Sequence, residues 1–386
     1  MRKSTLICIL AFLMDTANGM VGLCIPLLAT SFGADYDDLG NIGAAGAASY
    51  AALCLVSGRL SERFGHRRTA AASVLCLVLL VVTYTRVDAV YQVLLIAVGV
   101  GAAMSAYWPT LQSWLSQGYN PRRLTRALGN FNISWGTGVM VGPALGGYFY
   151  AWGPSYPFLA AAGSQTCILL LILLASPRPK PEQVNASETG SSGERVFLKL
   201  AWIANFATIF ASGTLRVIFP RFAVDLGMEA QGIGVLLSLI GGSQVISFLV
   251  VSRITSWHYR LSSLARAQLS GAAGLLLLVF GKGSAVFAVS MLIHGALVGV
   301  TFSQSLFYSL NNEVDQTRSP SLPPTPRSRR AGIHESIVGT GFLLGPFFGG
   351  YAAQYVGPRA PFLLSASVIL TCLLLEYQVL RKARNE

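Results

Sequence analysis

Apolar residues in this chain neither alternate nor trace a single helical stripe; they come in blocks. Long apolar runs broken by short polar segments recur from one end to the other. A run of about 20 such residues, coiled as α-helix, spans the hydrocarbon core of a bilayer. In hydrocarbon the backbone must satisfy its own polar groups, so runs of this length predict helices. Allowing about 20 residues per span plus a short loop, the 386 residues accommodate roughly twelve spans. The blocks place helix 1 over about 5–29, helix 2 over 38–57, helix 3 over 68–85, helix 4 over 90–114 and helix 6 over 157–175.

Near the middle the pattern breaks. Residues 177–196, rich in Pro, Lys, Glu, Ser and Gly, read as a flexible linker between a bundle over 1–176 and a second over 197–386. The two halves repeat one another. Phe12, Ala17, Gly19, Pro26 and Gly33 return as Phe206, Ala211, Gly213, Pro220 and Gly227, a shift of 194. Gly138, Gly142, Pro143 and Gly146 return as Gly341, Gly345, Pro346 and Gly349, a shift of 203, because the segment Asn311 to Arg330 is longer than its counterpart. Glycines at i, i+4 and i+8 make one smooth helical face on which another backbone can lie, and the proline removes a donor and kinks the helix. Two copies in corresponding places predict a duplicated bundle in which helices 5 and 8, and 11 and 2, approach closely and rock.

Composition supports the membrane reading: hydrophobic residues make up 53% and charged residues 11%, and the mean hydropathy is +0.56. The net charge of +12 would suggest nucleic acid in a soluble protein, but here it follows topology. With both termini placed in the cytoplasm, 23 of the 28 Lys and Arg fall in inside segments, against Arg86, Arg221, Lys282 and Arg359 outside and Arg216 within an apolar run. The positive-inside bias therefore predicts a multi-pass protein of a cytoplasmic membrane with both ends inside. Arg2-Lys3 before the first apolar run imitates a signal peptide, but Asp15 and Asn18 interrupt that run, so it reads as a retained helix. The six cysteines sit in apolar runs without Cys-x-x-Cys spacing and read as packing residues. On the linker, Asn185-Ala186-Ser187 reads as cytoplasmic, hence no glycosylation site.

After helix 2 comes Gly58-Arg59-Leu60-Ser61-Glu62-Arg63-Phe64-Gly65-His66-Arg67-Arg68. Glycines at both ends permit a tight cytoplasmic turn, and Glu62 offers a charge partner to the arginines. This segment resembles the loop 2–3 signature of the major facilitator superfamily, G-x-L-x-D-R-x-G-R-R/K, with Gly58, Leu60, Arg63, Gly65 and Arg67 matching and Glu62 in place of Asp. In the second half the motif has decayed, Glu62 and Gly65 corresponding to Ser256 and Tyr259. The resemblance covers the whole chain and implies the family's fold: an all-α polytopic protein of 12 transmembrane helices in two parallel six-helix repeats. The glycine-proline helices resemble the family's helix 5 signature, G-x-x-x-G-P-x-x-G-G, associated with substrate:proton exchange. Helix 4 lacks the arginine that proton-coupled members often carry.

Ionisable and polar groups inside apolar helices are costly facing lipid, so they mark cavities or partners. On this basis the substrate or proton pathway is expected at Asp15, Asn18, Tyr50, Gln112, Asn132, Trp135, Arg216, His294 and Glu335. Helices 1 and 7, which the resemblance implies face a central cavity, carry Asp15 and Arg216, opposite charges that can pair across it. Arg216, near a helix end, can also snorkel, and His334 and Glu335 at the opening of helix 11 can sit at the cytoplasmic interface. Tyr107, Trp108 and Trp114 near the end of helix 4 read as interfacial anchors. No nucleophile elbow, phosphate-binding loop or metal spacing appears, so the chain reads as no enzyme and without cofactor. These features predict a monomeric secondary transporter of a small organic solute, exporting it against protons, with Asp15 carrying the proton. Uptake of a sugar, nucleoside or similar metabolite is the alternative, and a non-transporting membrane sensor a more distant one.

Overall fold

A computed structural model describes residues 3–116, 121–175, 192–254, 256–311 and 327–385. Within them the chain forms twelve α-helices and no strand. The first six are α1 (Lys3–Ser31), α2 (Tyr36–Phe64), α3 (His66–Thr83), α4 (Val90–Ser116), α5 (Pro121–Trp152) and α6 (Tyr156–Leu174). The second six are α7 (Ser192–Asp225), α8 (Ala230–Arg253), α9 (Leu261–Phe280), α10 (Ser284–Asn311), α11 (Arg327–Tyr355) and α12 (Ala360–Asn385). Among the described residues ten helical stretches are long and apolar enough to cross a membrane by length and composition. Helices α2 and α5 pack at the seam between the halves, against α11 and α8 respectively. Successive helices reverse direction, which brings both chain ends to one end of the bundle, here the terminal end; the opposite one is the far end.

Most of the expected linker 177–196, including Asn185-Ala186-Ser187, and most of the segment between Asn311 and Arg330 lie outside the described residues. Three expected boundaries move. The turn anticipated at 58–68 is mainly helix: α2 runs on to Phe64, and only Gly65, at φ +86°, breaks it. A left-handed φ is what a glycine permits at that point without strain. The basic stretch Arg122 to Arg126, which the charge pattern places among the inside segments between apolar runs, forms the first turns of α5. Similarly α7 begins at Ser192, before the expected second-half boundary.

The repeat is visible in the packing. A Cβ on Gly138 would lie 2.6 Å from Phe12 O, on Gly142 2.6 Å from Thr16 O, and on Gly146 2.9 Å from Met20 Cα. In the second half Gly341 meets Ile209 and Phe210, Gly345 meets Phe210 O and Gly349 meets Thr214. Pro143 packs on Gly19 and Pro346 on Gly213. These are symmetry-related contacts, since α7 follows α1 at the shift of 194 and α11 follows α5 at 203. The i, i+4, i+8 faces therefore join α5 to α1 and α11 to α7 inside each half, rather than α5 to α8. The seam between halves uses other positions: Gly234 and Gly241 of α8 against Pro143 and Met140, Gly147 against Ala230, and Gly40 against Pro346 and Gly350. There Ala144 N, next to the kinking proline, donates to Ser238 Oγ at 2.9 Å.

Candidate functional site

Between the halves lies a cavity of about 400 Å³. It is lined by α1, α2, α4 and α5 on one side and α7, α8, α10 and α11 on the other. Its walls are mainly apolar and aromatic, with Trp108, Trp135, Phe302 and Phe342 among them, and the charges facing it are Asp15, Arg216 and Glu335. Helix geometry dictates that pattern: Asp15, Asn18 and Gly22 follow one face of α1 at spacings of three and four, and all three line the cavity.

Asp15 Oδ1 accepts from Asn18 Nδ2 at 3.1 Å. Its charge also feels both Arg216 and Glu335. Arg216 does not pair with it. Among the described residues the guanidinium makes no hydrogen bond or ion pair and instead stands over the Phe342 ring, 5.6 Å from its centroid. Nor does it snorkel to an end, since it lines the cavity more than two turns before α7 stops at Asp225. Glu335 is buried and fully engaged across the seam: Tyr50 Oη donates to Oε2 at 2.6 Å and Gln112 Nε2 to Oε1 at 2.7 Å. A carboxylate from the second half is thus held by α2 and α4 of the first, not at the interface with water.

Trp135 lines the cavity, and its indole N–H donates to Asn132 Oδ1 at 3.1 Å. Asn132 itself is buried behind that ring, outside the lining, because position i−3 falls one turn back. His294 is likewise off the cavity, buried in the second half with Nε2 2.8 Å from Ser212 Oγ. Two residues expected at a membrane interface are interior: Tyr107 is buried with its hydroxyl donating to Leu10 O at 3.1 Å, and Trp108 faces the cavity. Their position in the chain hides this, because this turn of α4 faces α1 and the cavity. In the last turns of α2, nothing beyond the helical backbone of Gly58, Arg59 and Glu62 belongs to the described part. Arg67 Nε donates to Ile172 O at 2.9 Å, and a second guanidinium nitrogen reaches Leu173 O. Arg67 therefore caps the carbonyl end of α6, where a cation is favoured. Arg63 lies over the Phe64 ring.

Sequence reasoning missed a cluster at the far end. Tyr36 Oη donates to Asp225 Oδ2 at 2.5 Å, Arg221 Nε to Asp225 Oδ1 at 2.9 Å, Arg221 Nη1 to Ala34 O at 3.0 Å, and Tyr36 N to Gln354 Oε1 at 3.2 Å. Every bond except Arg221 to Asp225 crosses between halves, so the cluster latches the far end. Only spatial pairing reveals it, since Tyr36 and Asp225 sit 189 positions apart. Tyr36→Phe is expected to raise the population open at the far end about fivefold, ~1 kcal/mol for one charge-assisted bond in a partly exposed site. Labelling of Ile25→Cys by an impermeant maleimide, in a background lacking the native cysteines, measures this; an unchanged rate removes the latch role.

The comparisons agree with this architecture. The family model of the Major Facilitator Superfamily matches residues 7–315, and the chain belongs to that family of membrane transporters. It is 24% identical over 326 residues to mouse solute carrier family 22 member 18, covering 78% of this chain and 77% of that protein. It is 26% identical over 262 residues to the class H tetracycline resistance protein of Pasteurella multocida, covering 62% and 64%. It is 21% identical over 330 residues to the multidrug resistance protein MdtG of Proteus mirabilis, covering 81% and 78%. Among solved structures, the human organic anion transporter MFSD10 superposes with a TM-score of 0.70 at 14% identity, over 97% of this chain and 98% of that one. A bacterial homolog of the human lysosomal transporter Spinster does so at 0.71 and 14%, over 98% and 96%. The chain is a multi-pass membrane transporter of this superfamily.

Proposed function

We propose that the chain is a proton-coupled secondary transporter exporting a small organic solute from the cytoplasm by alternating access, working as a monomer of two bundles, 1–176 and 197–386. The observation that carries the reading is a carboxylate, Asp15, in a largely apolar cavity between two repeats, with a cation in electrostatic reach and no ion pair among the described residues. Such a group can exchange a proton with little loss of structure, and the cavity can open to either end as the halves rock. Aromatic and apolar walls suit an amphipathic organic solute, while Trp135, Arg216 and Asn18 supply polar contacts. Export is supported by relatives whose names are multidrug and tetracycline resistance proteins. The clustering of Lys and Arg at the terminal end supports both termini in the cytoplasm.

Uptake of a metabolite has one observation on its side. The Arg216 guanidinium has its donors unspent. A solute anion bound there would weaken its hold on the Asp15 carboxylate, so that solute and proton would bind together and travel together. Flux of labelled organic solutes, tetracycline among them, in proteoliposomes with an imposed pH gradient tests both readings. Movement opposite to the protons is the expected result; movement with them selects uptake by symport, and flux indifferent to the gradient removes proton coupling.

A further inference from the structure

The two halves share a backbone plan but not an interior. In the first half, Ala11, Met14, Leu111, Leu115 and Phe131 are buried in one hydrophobic cluster with Tyr107. At the shifts of 194 and 203 their counterparts are Asn205, Thr208, Ser305, Ser309 and His334, with Thr301 for Tyr107, all buried. The correspondence is structural as well as numerical: Gly101 meets Gly46 O and Ser49 Oγ, while Gly295 meets Ile240 O and Ser243 Oγ. The fold therefore does not require polar groups at these places, because the same places are apolar in the sister bundle.

The polar row lies between α7, α10 and α11. At its cavity side His294 Nε2 is 2.8 Å from Ser212 Oγ, and His294 feels the charge of Arg216. Farther along, His334 Nδ1 is 2.9 Å from Ser305 Oγ, with Glu335 the charge it feels. At the terminal end Trp202 Nε1 donates to Ser309 Oγ at 2.9 Å. Several atoms of the row have no partner among the described residues: His294 Nδ1, His334 Nε2, and both amide atoms of Asn205. Asn205 and His334 are 0% exposed and His294 1%. Buried polar atoms left without a partner cost about 1–3 kcal/mol each and in native proteins are met by ordered water.

We propose that the second bundle encloses a file of water between α7, α10 and α11 that carries protons between the terminal end and the Arg216 side of the cavity, with His294 and His334 as relays. The proposal rests on the proton-coupled reading above and assigns the coupling ion a route separate from the solute's. Each relay step balances by itself: a neutral imidazole takes a proton from a protonated water on its open nitrogen and gives the one on its serine-side nitrogen to the serine hydroxyl, which releases its own proton to the next water. A flip of the ring restores the starting tautomer, so that one proton has moved on. Nothing else is consumed.

Hydroxyl-radical footprinting of the full-length chain in nanodiscs, read by mass spectrometry, tests the water file. The sister positions are internal controls. After correction for intrinsic reactivity, His334 is expected to oxidise several-fold faster than Phe131, although both are buried; equal protection overturns the proposal. Asn205→Ala, which restores the residue of the first half, and His334→Gln test the proton role in proteoliposomes. Transport driven by a pH gradient is expected to fall about tenfold, with solute exchange at equal pH retained, which also reports that the variants fold. Coupled transport left intact by both variants overturns this inference alone. Wild-type transport indifferent to a pH gradient overturns the functional reading and, with it, proton traffic along the row.

Discussion

Valine at Gly101 or at Gly295 is expected to abolish recovery of folded transporter. At each, the first atom of a side chain would meet a backbone carbonyl of the neighbouring helix and a serine hydroxyl, Gly46 O with Ser49 Oγ in one half and Ile240 O with Ser243 Oγ in the other. Ser49 Oγ is already committed to Val98 O at 2.8 Å, so it cannot swing aside freely. Overpacking in an ordinary core costs about 1–3 kcal/mol because side chains adjust; here the obstacle is main chain, so α2 and α4, or α8 and α10, must separate. Size-exclusion chromatography of the detergent-extracted protein should show aggregate in place of the monodisperse peak. Gly163→Ala is the control, since nothing lies within 4 Å of a Cβ there. A Gly101→Val protein that elutes and melts like this control would remove the close-contact account of the α2–α4 pair.

The second large effect is expected at Asp15. An asparagine in its place is nearly isosteric and could still accept from Asn18, so the fold should stand while the exchangeable proton is lost. Asp15→Asn should reduce pH-driven solute movement by about a hundredfold or more, leaving solute exchange at equal pH measurable. Asp15→Glu, which keeps the acid, should retain part of the drive. Transport by the Asp15→Asn variant with the wild-type pH dependence would end the assignment of the proton to this residue.

Where sequence and structure part company, the divide follows the range of the interaction. The spans, their number, the repeat and the superfamily were legible because each rests on local apolar length or on similarity between segments. Seven of the nine expected pathway residues line the cavity, since polar groups in apolar helices have few other places to go. Asn132 and His294 depart because polarity identifies a buried partner as readily as a cavity. What could not be read was pairing. Asp15 and Arg216 share a cavity without bonding, whereas Glu335 is bound by Tyr50 and Gln112, 285 and 223 positions away. The latch at Tyr36 and the polar row through His334 are likewise made by helices distant in sequence. Helix ends failed for a different reason: Gly58 to Phe64 has the composition of a turn, but the helical hydrogen bonding runs on through it, Gly65 N still donating to Ser61 O.

The seam between the halves has a mechanical consequence. Where Gly241 lies on Met140 N and Cα, Gly234 on Pro143 O and Gly40 on Pro346 O, main chain rests on main chain without interlocking side chains. Interdigitated side chains would have to change rotamer together whenever one surface slid over the other. A joint of this kind behaves as a plain bearing instead of a ratchet: it has no teeth, hence no preferred stops along its travel. The resting positions of the two halves are then set by bonds beside these contacts: those of Tyr36 at the far end, those of Glu335 at the cavity wall, and that of Ala144 N with Ser238.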